Sequence, residues 1–462
     1  MGRHTAIPGP LGKRPRWHWR LWLLPLLTLA TSLLPRIVDF CVAGAALILL
    51  GPLLLLRALV AKLRAGRIFA ATERVGRFQV PFRQLAFADD APLRNLAVLL
   101  NVFWGDMAFA GPRPLSPEEA AAVPADQSIR FRLRPGIFSP YMLRSRIGIA
   151  YEGEAELDRE FYYTETAAGN LGLMLRTGVG GLLAGDAVRP APDLLEFFGV
   201  AIANTTMSEA IDWIVRRVRE DHPATIAFVN PDCLNIAYGN PEYRAVLGKV
   251  DLVLPDGIGI RFGCRILGIS LRANVNGTDM FPRLCERCVD EQLSLFLLGA
   301  RPGVARLAAE NMLQRYPGLK IAGTCDGYFA PAAEAEVIES INRSGADILL
   351  VAFGVPKQEL WLWKHRARLK PRVAMGVGGL FDFYSGRIPR APLWLREIGL
   401  EWSWRLLQGL RPADSQMAQF EIGLEWSWRL LQEPGRMWRR YIIGNPLFLY
   451  RVWRQKIGKL VI

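Results

Sequence analysis

The amino-acid sequence predicts an α/β protein with a mostly parallel sheet in its C-terminal half and a membrane-associated segment near its N-terminus. From about residue 197, short β-branched or apolar runs alternate with amphipathic stretches. This alternation is typical of parallel sheets covered by helices on both faces. Before residue 68, long apolar runs lie between basic residues, which is typical of membrane segments.

The length and the charge distribution indicate two folded units and a membrane partner. A chain of 462 residues is too long for one compact domain. Much of its basic charge lies at the ends: residues 1–67 hold ten Lys or Arg and one acid, Asp39, while residues 435–462 hold seven and no acid. Because Trp, Leu and Tyr are interleaved with these residues, we expect contact with anionic membrane lipid. No nucleic-acid recognition motif accompanies the charge, so nucleic acid is not an expected partner.

The cysteines predict buried, reduced thiols rather than a metal site. Of the six, only Cys285 and Cys288 are closely spaced, and the chain has four His in all. A zinc site would need a second pair of ligands. We therefore expect no metal and no cofactor.

Two apolar runs, residues 21–34 and 37–63, define the membrane-associated segment. Only the second has the roughly 20 residues that span a bilayer, and Gly51-Pro52 interrupts it, where proline kinks a helix. Two topologies are open: a hairpin made from both runs, or a broken helix that enters one leaflet and returns. The flanking basic residues are Lys13, Arg14, Arg16 and Arg20 before the first run, and Lys62, Arg64 and Arg67 after the second. They predict that both ends are cytoplasmic, at the inner membrane.

The remaining elements follow from the same patterns. Residues 68–183 show no clear alternation, and a loop-like segment containing Arg-Pro-Ala-Pro separates them from the alternating region. The predicted strands are 225–230, 251–254, 294–299, 347–353 and 372–377, and the predicted helices include 206–220, 278–292, 302–315 and 333–343.

A 12-residue sequence, Glu-Ile-Gly-Leu-Glu-Trp-Ser-Trp-Arg-Leu-Leu-Gln, occurs at 397–408 and again at 421–432. Because its flanks do not repeat, it indicates a short tandem duplication and not a solenoid. A neutral duplication and a doubled membrane-contacting helix are both open interpretations.

The N-terminal half carries an ordered set of motifs: Gly51-Pro52, Arg74-Val75-Gly76, Asn101-Val102, Gly105-Asp106-Met107 and Gly111-Pro112-Arg113-Pro114. On these motifs, residues 36 to about 177 resemble the bacterial sugar transferase family, which loads a sugar phosphate onto polyprenyl phosphate. The resemblance implies a membrane-associated α+β domain with a broken or re-entrant helix.

The same half departs from that family at its catalytic position. The family's Asp-Glu pair falls on Arg94 and Asn95, and neither side chain can act as the carboxylate nucleophile. The family's Lys-Phe-Arg-Thr segment is also absent. We therefore predict a degenerate domain, retained as an anchor or to hold polyprenyl phosphate.

Asp256 is the candidate general base of the C-terminal half. Pro255-Asp256-Gly257 follows the predicted strand 251–254, and open α/β sheets bind ligands at the carboxyl ends of strands. A carboxylate at this position can accept a proton. A turn or a helix cap is an equally weighted alternative on these residues alone.

Loops with glycine or asparagine follow the other predicted strands, at 230–232, 299–303, 354–359 and 376–379. Glycine lets the backbone approach a ligand closely, and helix starts offer N–H groups to phosphates. No G-x-G-x-x-G, Walker or Asp-x-Asp sequence occurs, so dinucleotide, ATP and metal-diphosphate sites are not expected.

Ordered motifs cover residues 197 to about 445. They are Asp256-Gly257-Ile258-Gly259, Gly277-Thr278-Asp279, Phe296-Leu297-Leu298-Gly299, Tyr316-Pro317-Gly318, Gly327-Tyr328-Phe329, Pro356-Lys357-Gln358-Glu359, Gly378-Gly379-Leu380-Phe381-Asp382, Arg390-Ala391-Pro392, Glu401-Trp402 and Arg439-Arg440-Tyr441. On these motifs the region closely resembles the WecG/TagA/CpsF glycosyltransferase family. The resemblance implies a Rossmann-like sheet and an inverting, metal-independent transfer of a sugar from UDP to a sugar on polyprenyl diphosphate. Family donors carry N-acetylmannosamine, its uronic acid or glucose.

The resemblance also implies roles for individual residues. Asp256 is the base that takes the proton of the acceptor hydroxyl. The residues expected to bind the nucleotide sugar are Asn230, Asp279, Gly299, Gly354, Gln358 and Glu359. Those expected to bind the acceptor or a diphosphate are Arg390, Arg405, Arg429, Arg436 and Arg439. Arginine suits this role because a departing diphosphate needs positive charge when no metal is present, although lipid headgroups are alternative ligands.

Two positions depart from the family and put the identity of the sugar in question. Phe228 stands where the family often has Thr, and Asn274 stands where it often has Arg. Arg272 is the candidate substitute for that arginine.

Together these patterns predict five segments: basic N-terminus and membrane-associated helices (1–67), degenerate sugar-transferase-like domain (68–183), linker (184–196), glycosyltransferase domain (197–396) and basic amphipathic appendage with the duplication (397–462). The predicted function is glycosyl transfer in exopolysaccharide or other cell-surface polysaccharide biosynthesis. A bifunctional enzyme that also transfers a sugar phosphate, and a non-catalytic membrane scaffold, are the alternatives. The oligomeric state, including a homo-oligomer, is open.

Overall fold

The computed structural model describes residues 18–184, 190–404 and 442–460. These residues form two compact units. The first contains residues 18–141 and 154–175, and the second contains residues 142–153 and the described residues from 176 onwards.

The first unit begins with two helices, α1 (His18–Leu49) and α2 (Gly51–Ala65). The chain is helical across residues 34–37 and breaks at Leu50, directly before the predicted Gly51-Pro52 interruption. The structure therefore has the broken helix and not the hairpin. Among the described residues, no single helix is long and apolar enough to cross a membrane, whereas Leu34–Leu49 and Gly51–Ala65, bent by 71°, meet that requirement as a pair.

The rest of the first unit mixes short helices and strands. The strands are β1 (Phe69–Val75), β2 (Pro81–Phe87), β3 (Ala108–Ala110) and β4 (Gly136–Phe138), and the helices are α3 (Val98–Trp104), α4 (Pro117–Ala121) and α6 (Gly153–Thr164), with 3-10 turns at Arg77–Gln79, Arg94–Ala97 and Ala125–Arg132. Two further helices cross the boundary between the units: α5 (Pro140–Ile147) belongs to the second unit from Met142, and α7 (Ala167–Ala184) from Arg176. β1 pairs with β2 antiparallel, and β3 pairs with β4 parallel. A small core of Ala43, Val98, Val102, Met107 and Phe109 joins α1, α3 and β3.

The second unit is built on a six-stranded parallel sheet. Its strands are β7 (Ala224–Val229), β8 (Leu252–Pro255), β9 (Ser294–Gly299), β10 (Lys320–Cys325), β11 (Ile348–Ala352) and β12 (Val373–Gly376), and they lie in the order β10-β9-β11-β12-β7-β8. A separate antiparallel hairpin, β5 (Leu194–Phe197) and β6 (Val200–Ala203), precedes them. The five predicted strands are confirmed. β10 was not predicted, because this edge strand is only half-buried and lacks a continuous apolar run.

Eleven helices of the second unit can be described. They are α8 (Met207–Arg219), α9 (Pro231–Gly239), α10 (Pro241–Leu247), α11 (Ile258–Leu267), α12 (Gly277–Asp290), α13 (Val304–Arg315), α14 (Glu334–Ser344), α15 (Lys357–His365), α16 (Leu380–Tyr384), α17 (Leu393–Glu397) and α18 (Gly444–Leu460), with a 3-10 turn at Pro331–Ala333. The predicted helices correspond to α8, α12, α13 and α14. In α8 the sequence signal is explicit, because Thr206 and Glu209 form a capping box before an amphipathic run.

Alternating side chains of each central strand pack on opposite faces of the sheet. In β7, Ile226 and Phe228 pack with α8 and α12, whereas Ala227 and Val229 pack with α9 and α11. This period of two buries both faces and explains why the strands read as continuous apolar runs.

The C-terminal helix α18 packs against α11 through a glycine. Phe197 and Phe448 approach Gly263 so closely that a Cβ atom there would lie within 3.0 Å of both rings. At the other side of α18, Asn235 Nδ2 donates to the Gly444 carbonyl at 2.7 Å. These contacts hold the end of the chain beside α9 and α11, at the edge of the sheet formed by β7 and β8.

The cysteine prediction is partly right. Cys285 and Cys288 are buried in the core on α12, and burial raises the pKa of the Cys288 thiol to about 12. Cys233 and Cys264 are also buried, whereas Cys41 is exposed and Cys325 is half-buried.

Candidate active site

A cavity of about 270 Å³ lies at the carboxyl ends of β7 and β8. This size is near the lower end of small-molecule sites. Its polar wall consists of Asn230, Asp232, Asp256, Asn274, Asn276, Asp279, Arg396, Glu401 and Asn445. Its apolar wall consists of Ile147, Ile149, Pro231, Ile258, Phe262, Trp402, Phe448 and Leu449, and backbone is contributed by Gly257, Gly259 and Gly399.

Asp256 is held at the cavity by the end of β8. Its backbone N–H donates to the Val229 carbonyl at 2.8 Å, which ties it to the end of β7. Gly257 follows with φ +91°, a conformation that a larger residue adopts only with strain. No side chain caps α11 at Gly257, so the first N–H groups of that helix lie beside the cavity.

Asn230 lies beside Asp256 because α9 and α11 begin in contact. A Cβ atom on Gly259 would lie 2.3 Å from Pro231 Cγ, so only glycine allows this approach. Asn230 caps α9: its Oδ1 accepts from the N–H groups of Asp232 at 3.0 Å and Cys233 at 3.1 Å. Because that oxygen is engaged, the amide NH₂ group is the part of Asn230 that a ligand can use.

Asn274 binds the backbone next to the candidate base. Its Oδ1 accepts from the Gly257 N–H at 2.6 Å. Arg272 does not take the place of the family's arginine, because its guanidinium pairs with Asp193 at 2.6 Å and it does not line the cavity.

Asp279 is at the centre of a buried polar cluster. Its carboxylate lies 2.6 Å from Arg390 and 3.6 Å from Arg396, and it accepts from Asn276 Nδ2 at 2.8 Å and Tyr151 Oη at 3.4 Å. Burial disfavours the charged carboxylate, but the charge of Arg390 and the Asn276 hydrogen bond outweigh it and lower the pKa of Asp279. Burial and the charge of Asp279 raise the pKa of the Tyr151 hydroxyl well above its usual range.

Five of the predicted residues do not line the cavity: Gly299, Gly354, Gln358, Glu359 and Arg390. Gln358 is 2% exposed, and its Oε1 accepts from the N–H groups of Gly354 at 3.2 Å and Gly378 at 3.0 Å. It therefore braces the loops after β11 and β12. Arg390 contacts Asp279, so two residues that were predicted at different substrates pair with each other.

Glu359 is a buried acid behind these loops. Its Oε1 accepts from Gln358 Nε2 at 2.7 Å, and its Oε2 has no hydrogen-bond partner among the residues that the structure describes. Burial raises the pKa of Glu359 to about 7.

One protein family matches the part of the chain that forms the parallel sheet and most of the cavity. Residues 195–412 and 416–461, together more than half of the chain, match the Glycosyl transferase WecG/TagA/CpsF family. The chain belongs to the WecG/TagA/CpsF family of glycosyltransferases. Of the cavity-lining residues, only Ile147 and Ile149 lie outside the matched stretches.

Two relatives align with just under half of this glycosyltransferase. Both are named N-acetylglucosaminyldiphosphoundecaprenol N-acetyl-beta-D-mannosaminyltransferase. The protein from Bacillus spizizenii is 37% identical over 184 residues, which is 40% of this chain and 71% of the relative. The protein from Bacillus subtilis is 32% identical over 209 residues, which is 45% of this chain and 81% of the relative.

The two copies of the duplicated sequence fall in different matched stretches of the glycosyltransferase family. The first copy, 397–408, belongs to the stretch that ends at residue 412, and the second, 421–432, belongs to the stretch that starts at residue 416. Gly399, Glu401 and Trp402 of the first copy line the cavity. The second copy and the predicted residues Arg405, Arg429, Arg436 and Arg439 lie outside the described residues.

Sequence reasoning missed several cavity residues of this glycosyltransferase. Arg396 stands in no recognised motif, and Phe448 and Leu449 lie on a helix that was read only as a basic appendage. Glu401 and Trp402 do belong to a recognised motif, which was the available signal. Ile147 and Ile149 precede the predicted linker, so no sequence pattern connected them with the site.

The N-terminal half of the glycosyltransferase has a second family match, since residues 86–182 match the Bacterial sugar transferase family. Within this stretch, Asp89 is buried and paired with Arg57 at 2.7 Å. Asp90 is exposed and pairs with Arg94 at 2.8 Å. Both carboxylates are therefore engaged with an arginine.

Proposed function

We propose that this chain transfers a sugar from a UDP-sugar onto a polyprenyl-diphosphate-linked sugar, with Asp256 as the general base. The observation that carries the proposal is the position of Asp256 in a cavity at the carboxyl end of β8, beside Asn230 and the uncapped start of α11. Parallel sheets place ligands at this edge, and uncapped helix starts bind phosphate.

The proposed reaction is a single displacement at the anomeric carbon. The acceptor hydroxyl oxygen forms a bond to C1 of the donor sugar while the bond from C1 to the β-phosphate oxygen breaks. The electron pair of the broken bond departs with UDP, and the carboxylate of Asp256 takes the hydroxyl proton. Attack opposite the leaving group inverts the configuration at C1. No residue of the chain becomes covalently attached to the sugar, and no metal or cofactor takes part.

The names of the two Bacillus relatives support the choice of substrates. Each is named for transferring N-acetylmannosamine to N-acetylglucosaminyl-diphosphoundecaprenol. We infer an acceptor of the same class, a sugar on polyprenyl diphosphate, for this chain. Its donor sugar is a separate question, because Asn274 and Phe228 differ from the residues that the family often carries. Trp402 and Phe262 give the cavity aromatic surfaces that suit a sugar ring or a prenyl chain.

We also propose that the enzyme acts at the cytoplasmic face of the inner membrane in the biosynthesis of an exopolysaccharide or another surface polysaccharide. The bent pair α1 and α2 presents large apolar side chains, among them Ile48, Leu49, Leu55 and Leu63, each more than 70% exposed. Such side chains are stable in lipid and costly in water.

The test compares three carboxylates that line the same cavity. In Asp256→Asn the transfer rate should fall at least ~100-fold, the usual scale for loss of a positioned base, while Asp232→Asn and Glu401→Gln should keep most of the activity. Transfer is measured as UDP released from UDP-sugars in the presence of purified polyprenyl-diphosphate-N-acetylglucosamine, with the full chain in detergent. Near-normal turnover of folded Asp256→Asn would remove Asp256 from the mechanism. A large loss in Glu401→Gln alone would assign the base to Glu401.

A further inference from the structure

We propose that Arg396 is a diphosphate-binding residue inside the cavity. The inference rests on the proposed glycosyl transfer, in which both substrates carry a diphosphate: UDP in the donor and polyprenyl diphosphate in the acceptor. The observations concern Arg396 itself, which belongs to none of the motifs that the sequence analysis recognised.

The first observation is the position of Arg396. It lies on α17, where it lines the same cavity as Asp256, Asn276 and Glu401. Its side chain is 23% exposed, so the guanidinium is largely withdrawn from bulk water yet borders the space that a substrate would occupy.

The second observation is that Arg396 shares its carboxylate partner. Asp279 lies 2.6 Å from Arg390 and 3.6 Å from Arg396, so the closer ion pair belongs to Arg390. The Nε atom of Arg396 has no hydrogen-bond partner among the residues that the structure describes. Arg390 does not line the cavity. Arg390 therefore holds Asp279 more closely, and Arg396 borders the cavity with a longer ion pair and an Nε–H donor that has no partner among the described residues.

The third observation is the local charge at Asp279. Two guanidinium groups, those of Arg390 and Arg396, lie within 4 Å of this one carboxylate. Glu397, the neighbour of Arg396 in the chain, pairs with Arg144 and Arg176. Burial and the charge of Arg390 lower the pKa of Arg396 below its usual value, as expected for a cation without full compensation.

An incompletely paired, largely buried cation costs free energy unless an anion joins it. Guanidinium matches phosphate in geometry, because its planar N–H groups bind two oxygens at once. The start of α11, at Ile258 and Gly259, borders the same cavity and adds N–H donors. A diphosphate held between these groups would lie near Asp256, where negative charge develops as the glycosidic bond to phosphate breaks.

The experiment measures binding by the full chain in detergent, with UDP, uridine and farnesyl diphosphate as probes. Arg396→Gln should weaken binding of UDP, of farnesyl diphosphate or of both by on the order of tenfold or more, and leave uridine binding unchanged. Loss with UDP alone assigns the site to the donor, and loss with farnesyl diphosphate alone assigns it to the acceptor. Arg306→Gln is the matched control, because Arg306 is exposed on α13 and pairs with Glu310. Wild-type affinity of folded Arg396→Gln for both diphosphates would overturn the proposal.

A second measurement needs no variant and covers the case in which Arg396→Gln does not fold. Phenylglyoxal modification of wild-type arginines is mapped by mass spectrometry with and without each probe. UDP or farnesyl diphosphate should protect Arg396, and uridine should not; equal labelling under all conditions would overturn the proposal. Asp256→Asn separates this inference from the proposed function, because it should lose transfer and keep diphosphate binding.

Discussion

The side-chain oxygen of Asn274 lies 2.6 Å from the backbone nitrogen of Gly257, the residue that follows Asp256. Through this contact the loop before α12 fixes the turn that carries the candidate base. Gly257 has a positive φ, and because glycine can adopt many backbone conformations, this hydrogen bond helps to select the one that the turn requires.

Asn274→Ala should lower kcat about tenfold, because the loss of one such hydrogen bond costs about 1–1.5 kcal/mol and the turn that holds Asp256 loses its support. Steady-state kinetics with the lipid-linked acceptor measure the effect. Asn311→Ala is the control, since Asn311 is exposed on α13 and makes one hydrogen bond, to the Tyr384 carbonyl. If both variants behave alike, Asn274 has no special role at the base.

Removal of Asp279 should destabilise the protein more than removal of Arg390. Asp279→Asn leaves Arg390 and Arg396 as adjacent buried cations, whereas Arg390→Gln leaves Asp279 with Arg396 at 3.6 Å. Breaking a buried pair costs about 3 kcal/mol or more. Thermal unfolding gives the order of the two Tm values, and a lower Tm for Arg390→Gln would contradict the expected charge balance.

Glu359 should make stability depend on pH. The pKa of its carboxyl is raised to about 7 in the folded chain, against about 4.3 when unfolded. The folded state therefore holds its proton more tightly, so this stabilisation is complete below pH 4 and is lost as the pH rises through 7. The loss amounts to up to about 4 kcal/mol.

In wild type, Tm should fall as the pH rises from 5 to 8.5. Glu359→Gln should remove the part of this fall that comes from Glu359. Asp158 in the first unit also has a pKa raised to about 7 by burial. Asp158→Asn should therefore remove a further part of the pH dependence of Tm. Parallel Tm profiles for wild type and Glu359→Gln would show that this acid is not protonated in the folded state.

Deletion of residues 409–432 should leave transfer intact. The shortened chain keeps one copy of the repeat, followed as before by Glu433-Pro434-Gly435-Arg436. The cavity residues Gly399, Glu401 and Trp402 belong to the first copy, and deletion of residues 397–420 instead gives the same shortened sequence. UDP release at less than one-tenth of the wild-type rate, from a folded shortened chain, would show that the extra 24 residues are needed.

The N-terminal half should release no UMP from UDP-sugars when given polyprenyl phosphate, because Arg94 and Asn95 stand where the resemblance to the sugar transferase family places its catalytic Asp-Glu pair, and neither side chain is a carboxylate nucleophile. Asp89→Asn and Asp90→Asn are a matched pair. Asp89→Asn should lower Tm, since it leaves Arg57 buried without its partner, whereas Asp90→Asn removes only an exposed ion pair and should have little effect. UMP release that Asp90→Asn abolishes would establish a second activity.

The sequence by itself determined five of the six strands of the parallel sheet and the position of the candidate base, Asp256. The strands from β7 to β12 read as apolar runs because both faces of the sheet are buried, and only the half-buried edge strand β10 escaped prediction. Gly51-Pro52 located the break between α1 and α2. Asp256 was recognised because it follows a buried strand directly, which is a relation between neighbours in the chain.

Only the tertiary structure decided which distant residues meet at the cavity. Ile147 and Phe448 lie about 300 residues apart in the chain, and no periodicity records that both border the space beside Asp256. The pairing of Asp279 with Arg390, and the longer ion pair that this leaves to Arg396, depend on distances of a few ångströms between separate segments of the chain. Local sequence patterns reflect backbone preference and burial, whereas the sharing of one carboxylate by two arginines arises only when the chain is packed.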